Sequence, residues 1–211
     1  MLIDLHTHTR PLSHDSLLTP DALVERAKAS GLDAVCLTEH DFTWDPEAGR
    51  DLARRHDFPV IPAIEVNTED GHFLAFGLQS YVYGMHRTAE LARHVKDAGG
   101  ALIAAHPYRR QLPFHLRNEG DWSEALDRAA ANPAYGHVLA VETINGRGSD
   151  RENAFAAALA QRLALPAVAT SDAHAPDDIG RCATEFDATI RDAPGLIREL
   201  RAGRFRPVPC A

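Results

Sequence analysis

The first residues that could do chemistry are His6 and His8, which follow the short apolar run from Met1 to Leu5. This run is too short for a helix and ends in polar residues, so it predicts a first β-strand. Side chains two positions apart in a strand share a face, which puts both imidazoles on one side. Two neutral imidazoles there can reach one divalent cation. The alternative is a pair of surface histidines at a strand end.

Residues of the same types follow the other apolar runs that predict strands. These runs cover 34–38, 60–66, 72–78, 101–105, 138–144 and 166–171. Amphipathic segments between them predict helices, one of which Thr19 should cap and another Asp150. Six of the twelve histidines and two carboxylates lie beside strand ends: His6, His8, His40, Glu65, His72, His106, Asp172 and His174. Independent surface histidines would be spread over helices too, so this set indicates one shared site.

The connection between the third and fourth strands has only five residues, 67–71, and contains the turn pair Asp70-Gly71. Five residues cannot hold a crossover helix, so the fourth strand should run antiparallel to the third. This arrangement would bring His72, at the start of the fourth strand, beside Glu65 at the end of the third.

Alternating strands and helices indicate an α/β fold. Seven short strands with polar residues at one end favour a TIM-like (β/α)7 barrel, whose functional residues gather at the carboxyl ends of the strands. The site is therefore expected at the C-terminal edge of the barrel. A doubly wound sheet is the second interpretation, but no Gly-rich phosphate loop follows the first strand. No repeat or linker divides the chain, so residues 1–211 are interpreted as one domain.

The composition disfavours several classes of protein. The chain has 211 residues, of which 45% are hydrophobic and 25% charged, and a net charge of −8. These values are ordinary for a soluble globular protein, and the acidic balance disfavours an extended nucleic-acid surface. No apolar run is long enough to cross a membrane, and the N-terminus lacks the pattern of a secretory signal. Three scattered cysteines make a disulfide framework unexpected, which favours a reducing, cytoplasmic location. The oligomeric state is not specified by the sequence.

The types of donor define the metal chemistry. Imidazole and carboxylate groups without a nearby thiolate suit manganese, zinc or iron. The eight residues offer more ligand atoms than one tetrahedral or octahedral ion needs, so two or three divalent ions are predicted. Glu65 is well suited to bridge two of them.

Five motifs, taken in order, resemble those of the polymerase-and-histidinol-phosphatase (PHP) family, and the resemblance covers nearly the whole chain. They are His-x-His at 6–8, Thr-Glu-His-Asp at 38–41, Ile-Glu-Val at 64–66, Ala-His-Pro at 105–107 and Ser-Asp-Ala-His at 171–174. The resemblance implies an irregular seven-stranded barrel and a trinuclear metal centre that hydrolyses phosphoesters. Glu39 departs from the family, in which aspartate is commoner at that position.

The resemblance also implies which residues hold which ion. The first ion would take His6, His8, Glu65 and Asp172, the second Asp15, His40 and His174, and the third Glu65, His72 and His106. The family has a carboxylate or histidine shortly after His-x-His, and both His14 and Asp15 are available here. Asp15 keeps the expected spacing to Thr19, so it is favoured, with His14 as the alternative. The residues expected to be catalytic are Glu65, Asp172 and His174.

The predicted function is hydrolysis of small phosphoesters or of nucleotide and oligonucleotide ends. Metal ions lower the pKa of bound water, so that hydroxide can attack phosphorus at neutral pH. One alternative is a metal-dependent hydrolase of an amide or cyclic substrate. The other is a non-catalytic binding module, which the intact ligand set disfavours.

Other residues have a less specific pattern. Arg109 and Arg147 follow strand ends and could clamp a phosphate, although loop arginines are commonly only solvated. Glu142 ends a strand at the same edge without an assigned ion, so a supporting role is expected. Trp44 and Tyr108 could line a substrate pocket or pack in the core.

Overall fold

The computed structural model of the chain describes residues 1–113 and 119–209, so His115 and Cys210 lie outside the described residues. This part of the chain contains nine strands, seven α-helices and two short 3-10 helices. The strands are β1 (Leu2–Thr7), β2 (Ala34–His40), β3 (Val60–Thr68), β4 (Gly71–Phe76), β5 (Ala101–Ala105), β6 (Ala140–Asn145), β7 (Ala167–Thr170), β8 (Ala183–Phe186) and β9 (Phe205–Val208). The α-helices are α1 (Pro20–Ala29), α2 (Pro46–His56), α3 (Thr88–Asp97), α4 (Tyr108–Gln111), α5 (Glu119–Ala130), α6 (Asp150–Leu163) and α7 (Ala193–Ala202).

All seven predicted strands form, but the prediction of a seven-stranded barrel is wrong, because the described residues build a sheet of nine. Its order is β7-β6-β5-β4-β3-β2-β1-β8-β9. The two additional strands, β8 and β9, have four residues each, and β9 contains Pro207. Such short segments carry little periodicity. Proline is accepted in β9 because this strand lies at the edge of the sheet.

The sheet curves until its two ends nearly meet, which makes it barrel-shaped. At the end of β1, a parallel bridge joins Thr7 to Ala173, the third residue after β7, and His8 N donates to Ala173 O at 3.0 Å. The hydroxyl of Thr184 in β8 bonds to the backbone of Ala169 in β7. The strands β1, β2 and β3 are parallel to one another, and so are β5, β6 and β7. Since β3 and β5 both pair antiparallel with β4, the carboxyl ends of all six strands lie at the same end of the barrel. We call it the carboxyl end of the barrel.

β3 and β4 form the predicted antiparallel hairpin, in which Asn67 faces His72 and Thr68 faces Gly71. The hydroxyl of Thr68 donates to Gly71 O at 2.7 Å and closes the turn. His72 therefore lies at the carboxyl end of the barrel, diagonally across from Glu65, as predicted. Because a turn joins these two strands, no crossover helix lies between them along the described chain.

Side-chain caps explain where two of the helices begin. Thr19 caps α1 as predicted, because its hydroxyl accepts from Ala22 N at 3.2 Å. The prediction that Asp150 caps α6 is wrong. Ser149 is the cap and forms a reciprocal capping box with Glu152. Asp150 is the first helical residue, where its negative charge suits the helix dipole.

Apolar side chains fill the barrel and the layer outside it. Ile3, Ile61 and Ile103 are fully buried inside the barrel, and Leu196 and Leu200 of α7 pack against this cluster. A second cluster packs α3, α5 and α6 against the outer surfaces of β3, β4 and β5, and a third packs α1 and α2 against β2. The polar carboxyl end is thus mounted on a rigid apolar body.

Cys36 is a buried free thiol on β2, whereas Cys182 is disulfide-bonded. The bonded state of Cys182 departs from the expectation drawn from the scattered cysteines. None of the helices in the described ranges is long and apolar enough to cross a membrane.

Candidate metal centre

Four buried ligand atoms meet without hydrogen-bond partners at the carboxyl end of the barrel. They are His6 Nε2, His8 Nε2, Glu65 Oε2 and Asp172 Oδ1. His8 Nε2 lies 3.5 Å from both Glu65 Oε2 and Asp172 Oδ1, and His6 Nε2 lies 3.5 Å from Asp172 Oδ1. Each of the four side chains is at most 1% exposed. Buried polar atoms nearly always have a partner, so this group has the character of a cation site.

Hydrogen bonds at the other ring nitrogen orient two of these imidazoles. His6 Nδ1 donates to Glu142 Oε1 at 2.9 Å, and His8 Nδ1 lies 3.2 Å from Ser13 Oγ. A carboxylate can only accept, so the His6 proton belongs on Nδ1. Fixing a proton on Nδ1 directs Nε2 toward the other ligand atoms, which is how histidines are commonly prepared for a metal.

Glu65 joins two sets of histidines through its two oxygens. Oε2 lies 2.7 Å from His40 Nδ1, although the contact is too poorly aligned to be a hydrogen bond. Oε1 lies 2.8 Å from His72 Nδ1 and 2.9 Å from His106 Nε2. Burial raises the pKa of Glu65, but the neighbouring histidines, His6 foremost, hold it well below its usual range. Its two oxygens therefore face different groups, as a bridging carboxylate requires.

Asp15, His40 and His174 form a second group. Asp15 Oδ2 lies 3.4 Å from His40 Nε2 and 3.2 Å from His174 Nε2. His174 Nδ1 donates to Asp172 O at 2.8 Å, which directs its Nε2 toward Asp15. Both residues considered for this position are exposed, and Asp15 is the one that contacts both histidines in the described structure.

Glu65, His72 and His106 form a third group, with one ligand atom from each within 4.8 Å of the others.

The backbone is strained at two of the candidate ligands, shortly after the strands that carry them end. His106 has φ of 25° and Asp172 has φ of 54°, both in the left-handed region that residues other than glycine rarely adopt. Backbone strain of this kind concentrates at functional sites.

Arg109 and Asn145 hold the second oxygen of Asp172. Arg109 Nη2 donates to Asp172 Oδ2 at 2.6 Å, and Asn145 Nδ2 donates to it at 3.3 Å. Arg109 Nη1 also lies 3.1 Å from His106 Nε2, so this arginine belongs to the cluster. Arg147 is exposed on the loop after β6, where its backbone N–H donates to Asn145 Oδ1 at 2.9 Å. The sequence did not predict that Asn145 orients Asp172, although this residue also ends a strand at the carboxyl end of the barrel.

Glu142 lies fully buried beneath the cluster and accepts from four donors. Oε1 accepts from His6 Nδ1 and from the hydroxyl of Thr170, and Oε2 accepts from His106 N at 2.6 Å and Asn145 Nδ2 at 3.0 Å. Burial raises the pKa of Glu142, but the charge and hydrogen bond of His6 lower it overall. These contacts agree with the expectation of a supporting carboxylate.

Glu39 holds the loop before α1 in place. The sequence did not predict this role. Its buried carboxylate accepts from Thr9 N at 2.9 Å, Ser13 Oγ at 2.5 Å and Trp44 Nε1 at 2.9 Å. Ser13 in turn contacts His8 Nδ1, so Glu39 supports a metal-binding candidate through one hydroxyl. The available signal was a carboxylate that directly follows the predicted strand 34–38.

The two aromatic candidates lie in different surroundings. Tyr108 is 3% exposed and packs in the core outside the barrel, which favours the core interpretation. Trp44 is partly exposed and fixed at its indole N–H by Glu39.

His6 and His8 differ in charge although they are neighbours. Burial lowers the pKa of His6, but Asp172, Glu65 and Glu142 together raise it well above its usual value. At His8 burial dominates and lowers the pKa to about 4. The metal-free cluster therefore holds a proton on His6 that a bound cation would displace.

The donor set fits divalent ions. It combines six imidazoles with three carboxylates: His6, His8, Asp15, His40, Glu65, His72, His106, Asp172 and His174. Such donors suit zinc, manganese or iron, and the unpartnered buried atoms provide the space and polarity that such an ion needs. The fold and the site together define an α/β barrel with a candidate metal centre at its carboxyl end.

Two sequence-family models match this chain. The model of the PHP domain matches residues 4–131, and that of a PHP-associated region matches residues 150–205. The first match covers more than half of the chain. The chain belongs to the PHP domain family.

Relatives of this chain include two proteins with named activities. It is 28% identical over 132 residues to the 5'-3' exoribonuclease Rnm of Salmonella typhimurium, over 60% of this chain and 42% of that protein. It is 32% identical over 80 residues to the 3',5'-nucleoside bisphosphate phosphatase of Chromobacterium violaceum, over 36% of this chain and 27% of that protein. The chain thus spans less than half the length of either relative.

Among solved structures, PsfC from Pseudomonas syringae has the same fold. Its TM-score is 0.65 at 20% sequence identity, and the comparison covers 100% of this chain and 91% of that one. The likeness extends over the whole barrel.

Proposed function

We propose that the protein is a metal-dependent phosphoesterase acting on small phosphate esters or on the ends of nucleotide chains. The observation that carries this proposal is the group of four buried, unpartnered ligand atoms on His6, His8, Glu65 and Asp172. The names of two relatives, an exoribonuclease and a nucleoside bisphosphate phosphatase, favour nucleotide substrates. Membership of the PHP domain family supports the same class of reaction.

Two or three divalent ions, of manganese, zinc or iron, are proposed for the nine residues of the centre. When bound, such ions supply positive charge and make water a nucleophile at neutral pH. The residues of the chain hold and orient them. Glu65 is assigned as the bridge because its two oxygens face different histidines. Asp172 is assigned as a ligand of the first ion because its Oδ1 completes the first group. Glu65, Asp172 and His174 are the proposed catalytic residues.

Arg109 is the proposed phosphate-binding residue at the rim of the centre. A guanidinium carries five N–H donors, and Asp172 accepts from one of its nitrogens. With 38% of its side chain exposed, Arg109 can offer its remaining donors to phosphoryl oxygens while it keeps Asp172 in position. Arg147, on the exposed loop after β6, is the second proposed phosphate ligand.

A reconstitution assay tests the proposal. The protein is stripped with a chelator and reloaded with Mn²⁺ or Zn²⁺. Turnover is then measured on a nucleoside monophosphate, a 3',5'-bisphosphate, a sugar phosphate, a short single-stranded RNA and an amide. We expect metal-dependent cleavage of at least one phosphoester. Asp172→Asn should abolish this cleavage, because the substitution removes the negative charge that both the first ion and Arg109 would contact.

Glu199→Gln is the matched control, because Glu199 is a buried carboxylate whose partners are Arg198 and Arg204 in and after α7. It should retain turnover. Cleavage of the amide alone would favour the second class of hydrolase. Protein with verified bound metal that cleaves none of the phosphoesters would contradict the proposal.

A further inference from the structure

A cavity lies on the outside of the barrel, away from the four unpartnered ligand atoms. Its volume is about 400 Å³, within the range of about 300–1,000 Å³ typical of small-molecule sites. It lies where a crossover helix would follow β3 in a regular barrel. Because the β3–β4 connection is a turn, the cavity is walled by α2 on one side and by the start of α7 on the other.

The floor of this cavity is apolar and firmly packed. It includes Val60 and Pro62 of β3 and Leu78 after β4. Pro62 packs directly against α2, since a Cβ atom added at Gly49 would lie 2.8 Å from Pro62 Cγ. The floor is therefore built of rigid elements and does not depend on the residues of the metal centre.

Trp44 borders the cavity with an indole whose polar edge is already used. Its Nε1–H donates to Glu39 Oε1 at 2.9 Å, which fixes the orientation of the ring. A fixed, partly exposed indole offers its apolar surface to a ligand, and flat aromatic groups pack well against such a ring.

Positive charge surrounds this apolar floor. Arg50, Arg54 and Arg191 all line the cavity. Arg54 pairs with Asp51, but the side chains of Arg50 and Arg191 make no hydrogen bond or ion pair within the described ranges. The carboxylate that lines the cavity, Asp192, accepts from Gly195 N at 2.8 Å as the cap of α7. Two guanidinium groups thus remain unpaired, in a chain whose net charge is −8.

We infer that this cavity binds a small molecule that combines an aromatic ring with a carboxylate, sulfonate or phosphate group. The ring would lie over Pro62 and Leu78 beside the indole of Trp44, and the anionic group would bind Arg50 and Arg191. Arginine is suited to this task, because its planar group forms paired hydrogen bonds to such anions.

Fluorescence of Trp44 tests the inference directly. The chain has two tryptophans, so Trp122→Phe leaves Trp44 as the single donor for energy transfer. The probe is 8-anilinonaphthalene-1-sulfonate, and its uncharged counterpart is N-phenyl-1-naphthylamine. We expect saturable transfer from Trp44 to the sulfonate at one site per chain. The double variant Arg50→Ala, Arg191→Ala should weaken binding of the sulfonate by about tenfold or more. Binding of the uncharged compound should change by less than about twofold.

Arg128→Ala is the control, since Arg128 is an exposed arginine on α5, outside the cavity. It should leave both affinities unchanged. All the substituted arginines are exposed, so the variants are expected to fold, and an unchanged Tm verifies this. The inference is overturned if the sulfonate shows no saturable transfer. Equal weakening of both compounds in the double variant, or equal weakening of the sulfonate in Arg128→Ala, would also overturn it.

Discussion

Replacing Glu142 with Gln should weaken metal binding without removing a metal ligand. The carboxylate accepts from four donors, with His6 and Thr170 at one oxygen and His106 N and Asn145 Nδ2 at the other. Glutamine has the same shape but presents one oxygen and one NH2 group. Whichever way the amide is turned, two donors then face another donor.

Both orientations of the glutamine have a cost. If its NH2 group faces His106, a buried backbone N–H loses its acceptor, which costs about 1–3 kcal/mol. If it faces His6, the imidazole must accept at Nδ1 and carry its proton on Nε2, the nitrogen proposed to bind metal. Losing a partner that orients a metal-binding histidine typically weakens affinity about 10–100-fold, or about 1.4–2.7 kcal/mol.

Calorimetric titration with Mn²⁺ measures the affinity of the Glu142→Gln variant, and thermal unfolding without metal measures its stability. A loss of 1 kcal/mol should lower Tm by about 2–4 °C in a chain of this size. The control Glu199→Gln should lower Tm and leave the affinity unchanged. An affinity for Glu142→Gln within about threefold of the parent would refute the reasoning. Loss of one entire ion would refute it too, because Glu142 would then be a ligand.

Three further predictions concern the bridge, the barrel wall and the proton on His6. Glu65→Gln should lower occupancy at more than one ion and abolish hydrolysis, and full metal content by elemental analysis would show that Glu65 is not the bridge. Gly49→Ala should destabilise the protein by about 1–3 kcal/mol, because the added Cβ would lie 2.8 Å from Pro62 Cγ. Thermal unfolding checks this, and an unchanged Tm would contradict it. Metal uptake at neutral pH should release protons. Burial lowers the pKa of His6, but Asp172 and the other carboxylates outweigh it, so that His6 is protonated until a metal ion binds. Affinity should then rise with pH, and equal titration heats in buffers of different ionisation enthalpy would count against this account.

Much of the architecture could be predicted because strands and helices alternate with clear hydrophobic periods. The hairpin after β3 followed from a connection too short for a helix, and it correctly brings His72 beside Glu65. The strand-end histidines converge because parallel strands finish at the same end of a barrel. A pattern of this kind depends on backbone direction alone, which local sequence specifies well.

Other features depend on contacts that local sequence does not encode. β8 and β9 have four residues each, too few for a period. They form because β8 pairs with the edge of β1 and β9 pairs with the edge of β8. Ser149, not Asp150, caps α6, since the choice between adjacent capping residues depends on the reciprocal bond with Glu152. The pairing of Arg109 with Asp172 joins residues 63 positions apart, which no local pattern reports.

The most direct test is a crystal structure of Mn²⁺-loaded protein with an anomalous difference map recorded for manganese. The account predicts two or three peaks at the carboxyl end of the barrel, with one of them about 2.0–2.3 Å from His6 Nε2 and His8 Nε2. Glu65 should lie between two peaks. Loaded protein that shows no peak among these residues, or peaks only elsewhere on its surface, would contradict the central claim.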